Sequence, residues 1–306
     1  MNSRYEQHPR GRAGFTLIEL LVVIFLISFL AALTIVIGPA LILDEPYSRA
    51  SQLLQGNLFI AKQQALRDRN PYGIRLLQDA DGQVRSFLFI QQPGDFTGGS
   101  VTVQAGSLNQ PTFTGVDLTG GLSVATLYPV QVGDYFQCPL NTGTPTLITT
   151  APAVNNTQPP SQSFTTNSPN SVTAGATTSY RIMRGPRPVA GEDTIYLPDN
   201  VIIDMGAAGT PPTGCPGSIL TPNVTAAGTV YYDILFAPAG SVLGPGGTTG
   251  KIILWVRDTT QNWQTATQQL LIVVNARTGL VAYYPVDTSS GNYYSFTQNP
   301  AAAGGL

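Results

Sequence analysis

Histidine is almost missing from this chain. His8 is the only one, so no imidazole occurs from residue 15 onward. That excludes a Ser-His-Asp triad, a Cys-His dyad and His-ligated zinc beyond the N-terminal segment. Lysine is nearly as scarce, with Lys62 and Lys251 alone. Charged residues make up 10% of the 306 and the net charge is −2. Arg4, Arg10 and Arg12 stand against Glu6 in the first 14 residues, so the rest of the chain is mildly acidic. A general basic surface is lacking, and no nucleic-acid partner is expected. Cysteine is limited to Cys138 and Cys215, whose spacing fits no zinc motif. Two readings of them stay open: a disulfide, which a compartment outside the cytoplasm would permit, and two separate buried thiols. With so few catalytic parts, the chain is expected to be no enzyme and to use no cofactor or metal.

What the chain does have is an apolar run. Residues 15–37 are apolar except for Thr16, Glu19, Ser28 and Thr34. As a helix they would extend about 35 Å, enough to cross a bilayer core of roughly 30 Å. The arginines lie just before the run, so the positive-inside rule keeps residues 1–14 cytoplasmic and exports the rest. A secretory signal peptide would end in a small-residue cleavage site, which Ala31-Ala32-Leu33 does not supply. Gly38 and Pro39 are expected to interrupt this helix, and Asp44-Glu45-Pro46 to restart it. From there Ala50, Leu53, Leu54, Asn57, Leu58, Ala61 and Ala65 recur at steps of three and four. This is one face of an amphipathic helix over 44–70, suited to packing on a soluble domain.

The stretch Gly14-Phe15-Thr16-Leu17-Ile18-Glu19-Leu20-Leu21-Val22-Val23 resembles the processing site of type IV prepilins and type II secretion pseudopilins. The resemblance implies cleavage between Gly14 and Phe15 by a prepilin peptidase, N-methylation of Phe15, loss of the basic leader 1–14 and retention of 15–43 as a transmembrane helix. It also gives Glu19 a role. A charge at membrane depth costs several kcal/mol and needs a partner. Cleavage would free a positive amine on Phe15, and Glu19 of an incoming subunit would pair with the Phe15 amine of its neighbour.

Beyond Pro71 the pattern becomes short strands and turns. Tyr72–Leu77 and Val84–Gln91 are expected to form a hairpin around Asp79-Ala80-Asp81-Gly82, which is too short for a calcium-binding EF-hand loop. Residues 141–179, rich in Thr, Asn, Ser and Pro, are expected to be a long low-complexity surface insertion. Arg181, Arg184 and Arg187 are expected in a solvated turn, with phosphate contact the weaker alternative. Glu192, Asp193, Asp199 and Asp204 are expected at exposed strand ends, with a calcium role the alternative. The last strands are placed at Thr229–Phe236, Lys251–Val256, Gln269–Val274 and Leu280–Tyr284. A flexible hairpin loop is expected between the first two. The run from Gly244 to Lys251 that fills it fails the phosphate-loop pattern, with Pro245 at a glycine position and Ile252 after the lysine.

"AKQQALRDRNPYGIRLL" and the closing "ILFAPAGSV", "KIILWV" and "LLIVVNARTGLVAYY" are similar to GspH/FimT-type minor pseudopilins. The resulting expectation is an α+β, pilin-like fold: a long N-terminal helix packed on an antiparallel β-sheet domain over 71–306. The implied function is a structural subunit of a type II secretion pseudopilus. The alternatives are a minor pilin of a type IV pilus or DNA-uptake system, and a membrane-anchored surface binding protein that never polymerises. The implied partners are other pilin or pseudopilin subunits, the prepilin peptidase, the inner-membrane assembly platform and membrane lipid. The implied location is the inner membrane, single-pass with the C-terminal domain periplasmic, and then the fibre.

Overall fold

The computed structural model describes residues 17–42, 46–103, 108–155, 161–169, 177–205, 220–225, 228–244, 250–262, 269–289 and 292–298, with side chains of the first helix described through Leu30. The chain divides into two units, Met1–Pro46 and Tyr47–Leu306. Helix α1, Leu17–Ile42, makes up the described part of the first apart from Pro46. It runs through Gly38 and Pro39, so the expected interruption is absent from its backbone.

Helix α2 spans Pro46–Asp68 and opens on the proline that the sequence suggests as a start. Its buried residues are Ala50, Ser51, Leu54, Leu58, Ala61 and Ala65. This is the stripe at steps of three and four, with Leu53 and Asn57 half-buried on its border. Ala50, Leu54, Leu58, Ala61 and Ala65 are fully buried in a core shared with side chains of the sheet. Asn57 avoids a polar cost by donating to Leu53 O at 2.7 Å.

The stripe belongs to one core with residues from seven strands: β1 Tyr72–Gln78, β2 Val84–Gln91, β3 Val201–Asp204, β4 Val230–Phe236, β5 Lys251–Asp258, β6 Gln269–Asn275 and β7 Val281–Pro285. With short additions they form an antiparallel sheet of 11 strands among the described residues, in the order Asn223–Val224, β4, β1, β2, β3, β5, β6, β7. The β1–β2 hairpin forms as expected, with Gly82 at φ 80° in its turn and Ile74 opposite Phe89.

Two expectations are corrected here. β4 and β5 are not joined as a hairpin, because β1, β2 and β3 lie between them. The chain leaves β4 through Val242–Leu243, which pairs back on β4. Residues 245–249 of the expected loop lie outside the described residues. The low-complexity segment 141–179 is also more than a surface insertion. Thr146–Leu147 joins a three-stranded sheet with Tyr135–Gln137 and Arg181–Met183. Ala153–Asn155, Ser161–Ser163 and Thr177–Thr178 join a five-stranded sheet with Ser100–Val103 and Pro111–Thr114. Ile148 and Phe164 are buried in a second core with Phe113, Phe136 and Tyr180. Phe113 meets Phe136 edge-on at 5.7 Å and Phe164 at 5.0 Å, geometries that aromatic pairs favour.

A third cluster lies around Trp255 and Leu271, which the C-terminal segment covers. Tyr294 meets Trp255 edge-on at 5.5 Å, and Lys251 Nζ donates to Thr297 O at 2.5 Å at the end of the short helix α3, Ser295–Gln298.

The packing of α2 predicts contrasting costs at adjacent positions. Leu58→Ala removes a fully buried side chain and should destabilise the protein by about 2–5 kcal/mol. Phe59→Ala, at a residue 56% exposed, should change stability by no more than about 0.5 kcal/mol. Urea unfolding followed by tryptophan fluorescence measures both.

Candidate functional site

Seen by itself, α1 is a helix without a dry side. Leu17, Ile18, Leu20, Leu21, Val22 and Val23 follow almost without interruption and are all exposed. Successive helical residues turn by about 100°, so such a run covers every face. A helix that is apolar all round is stable only when surrounded by protein or lipid. Glu19 lies in its first turn, where the positive end of the helix dipole favours an anion. It engages in an interaction there. Phe25 and Phe29, one turn apart, stack at 6.5 Å. Gly14 and Phe15, the expected cleavage and methylation positions, lie outside the described residues. Among the described residues no helix is long and apolar enough to cross a membrane, so the span expected over 15–43 does not follow from them.

In the second unit, Lys62 of α2 donates to Thr278 O at 2.8 Å and Gly279 O at 3.1 Å, in the turn between β6 and β7. This fixes the helix to the turn at Thr278–Gly279. Gly279 sits at φ 58°, and a Cβ on it would lie 2.1 Å from Gly240 O, so only glycine fits.

The arginines expected in a solvated turn are instead tied down. Arg187 donates to the buried Asp134 at 2.7 Å and to Tyr128 O at 3.0 Å. Arg184 donates to Gly94 O at 2.6 Å, and Arg181 to Gln137 at 2.6 Å. The chain passes here from the Arg181–Met183 strand of the three-stranded sheet to Arg187–Pro188, which pairs with β2, and this brings neighbouring carbonyls and Asp134 within reach of the arginines. The acidic stretch is corrected at one member. Asp204 is buried and accepts from Arg257 Nε at 2.8 Å, because β3 runs between β2 and β5 and not along an edge. Glu192, Asp193 and Asp199 are exposed. Asp79 and Asp81 are both held by Arg85 at 2.7 Å, which explains that hairpin without a cation. Among the described residues no group of three or more His, Cys, Asp or Glu could hold a metal ion. Cys138 is a free thiol whose pKa burial pushes up to about 11, while Cys215 lies outside the described residues.

Besides Asp134–Arg187 and Asp204–Arg257, sequence reasoning missed a third pair. Arg75 and Asp233 are directly opposite in the β1–β4 register and form a two-pronged ion pair at 2.7 Å and 2.7 Å. The guanidinium carbon lies 4.0 Å from the centre of the Tyr231 ring, a cation–π contact. A lone charge in "GIRLL" and another of opposite sign in "YYDIL" were the only signal of it. Burial raises the carboxyl pKa of both Asp233 and Asp134. For each, the cost of burying the charge outweighs the attraction of its arginine.

The fold is thus α+β, with an N-terminal helix and a large antiparallel sheet. Residues 9–35 match the prokaryotic N-terminal methylation motif. The match takes in Gly14, Phe15 and Glu19 and supports a type IV pilin-like, prepilin-type N-terminal segment. A motif of this kind implies other pilin subunits and a prepilin peptidase as partners in general. No curated protein matches the chain. Among solved structures, the phage phi92 endosialidase aligns at TM-score 0.19 and 12% identity, over 71% of this chain and 36% of that one. The chain therefore spans about a third of that protein's length, and a TM-score so low carries no argument on fold or function.

The buried pair Asp204–Arg257 generates a prediction. Asp204→Ala leaves a buried guanidinium without its carboxylate and should cost about 3–5 kcal/mol. The double variant Asp204→Leu with Arg257→Met should recover most of that loss, as thermal unfolding of both variants would measure.

Proposed function

We propose that the chain is a structural subunit, a minor pseudopilin of a type II secretion pseudopilus, with no catalytic activity of its own. The observation that carries this reading is the methylation-motif match over residues 9–35, which encloses the Gly14–Phe15 junction and Glu19. In this reading a prepilin peptidase cuts after Gly14 and the new Phe15 amine is methylated. Residues 15–43 hold the subunit in the inner membrane, with the domain from 71 onward in the periplasm. The assembly platform then extracts it into the fibre.

The apolar circumference of α1 supports lipid, and afterwards neighbouring helices, as its surroundings. The position of Glu19 in the first turn of α1 supports the pairing. Its carboxylate, costly in lipid, is neutralised by the Phe15 amine of a neighbouring subunit, and that contact sets the axial register. The similarity of the closing strands to GspH/FimT-type proteins favours the secretion fibre over a pilus.

Two variants test the reading. Gly14→Leu should accumulate uncut in the membrane fraction, visible as a precursor of higher mass on an immunoblot. Glu19→Ala should be cut normally but enter fibres at least about tenfold less, matching the loss of about 1.4 kcal/mol of pairing. Quantifying sheared fibres against the membrane pool reads this out. Normal cutting of Gly14→Leu contradicts the processing claim, and wild-type incorporation of Glu19→Ala contradicts the pairing claim.

A further inference from the structure

We propose that a cleft beside the Arg75–Asp233 pair is a binding site for a neutral saccharide. The inference stands apart from the assembly reading and rests on the second unit alone. The cleft has a volume of about 560 Å³, within the usual range for small-molecule sites. β1, β4 and the segment Gly185–Arg187 contribute to its lining.

Four charged side chains line it: Arg75, Arg187, Asp134 and Asp233. They form two ion pairs, each at 2.7 Å, so the lining is electrically neutral. The pairs are also braced by backbone. Arg75 Nη2 donates to Pro186 O at 3.1 Å, and Gly185 N donates to Asp134 Oδ1 at 2.8 Å. The site is therefore rigid before any ligand arrives, which lowers the entropic cost of binding.

Neutrality and mixed hydrogen-bonding capacity select the ligand class. A free anion would meet the two carboxylates beside the arginines, and a cation the two guanidinium groups, so neither gains net attraction from the lining. A wholly apolar ligand would strand the polar groups. Among the described residues, Arg75 Nη1, Arg187 Nε, the Tyr231 hydroxyl and the Asn223 amide make no hydrogen bond within the protein. Together they offer donors and acceptors, as the hydroxyls of a sugar require. Val224, 63% exposed, and Leu243, 41% exposed, also line the cleft and supply apolar surface for the C–H face of a pyranose ring.

The test uses the full chain in a zwitterionic detergent without a sugar headgroup. Calorimetry and saturation-transfer NMR would probe glucose, galactose, mannose, N-acetylglucosamine, maltose, lactose, cellobiose and chitobiose. N-acetylneuraminic acid and inorganic phosphate are the anionic comparators. At least one neutral sugar should bind saturably. Leu243→Arg should abolish that binding, and Asn223→Ala should weaken it about tenfold. Both positions are exposed, so melting temperatures should not change. If one of them does shift, Val224→Ser, expected to weaken binding, decides in its place. Failure of every neutral sugar to bind, tighter binding of either anion, or undiminished affinity in the variants overturns the proposal. None of these outcomes bears on N-terminal processing, so the two readings fail separately.

Discussion

In the proposed reading, a carboxylate in the first turn of a helix that is apolar on every side is the constraint on which assembly depends. Glu19 stands among Leu17, Ile18, Leu20 and Leu21, all of them exposed. Any surroundings that satisfy the leucines are hostile to the charge, at a cost of several kcal/mol. The helix dipole offsets only part of this, since its effect at a terminus is worth about 0.3–1 kcal/mol. In the proposed reading, proteolysis resolves the conflict by creating an amine at Phe15. The counter-ion then becomes available only after processing, so an unprocessed subunit lacks the contact that sets its register.

The second helix answers a different requirement with the same kind of backbone. α2 buries one stripe, Ala50 to Ala65, in the main core and leaves Phe59, Ile60 and Leu66 exposed outside it. Its outer side carries Gln52, Gln63 and Arg67, which remain in water. Lys62 anchors it through two carbonyls of the β6–β7 turn. Such hydrogen bonds demand a fixed turn, and the turn demands glycine at 279. Within the second unit, the helix, the last hairpin and the sheet thus depend on one another.

How much of the fold can be read from the sequence depends on how local each signal is. The α2 stripe reads at steps of three and four, and the Tyr72–Gln91 hairpin is short and marked by Gly82, so both emerge directly. Strand order was not legible. β4 lies beside β1, with the paired Arg75 and Asp233 separated by 158 residues, and no local pattern encodes that pairing. The second core was hidden because its strands are two to four residues long in a Thr- and Pro-rich region, too short to display a period. Asp204 reads as an exposed strand end until β3 is placed between β2 and β5. At the N-terminus the reverse holds. The motif over 9–35 is distinct in sequence, while Gly14 and Phe15 lie outside the described residues.

The most direct measurement is the intact mass and N-terminal sequence of the protein isolated from its own host. The expected chain begins at Phe15 and carries one methyl group on its amine. A chain that retains Met1, or that begins after any residue other than Gly14, would contradict this, because no Phe15 amine would then exist to meet Glu19 of a neighbouring subunit.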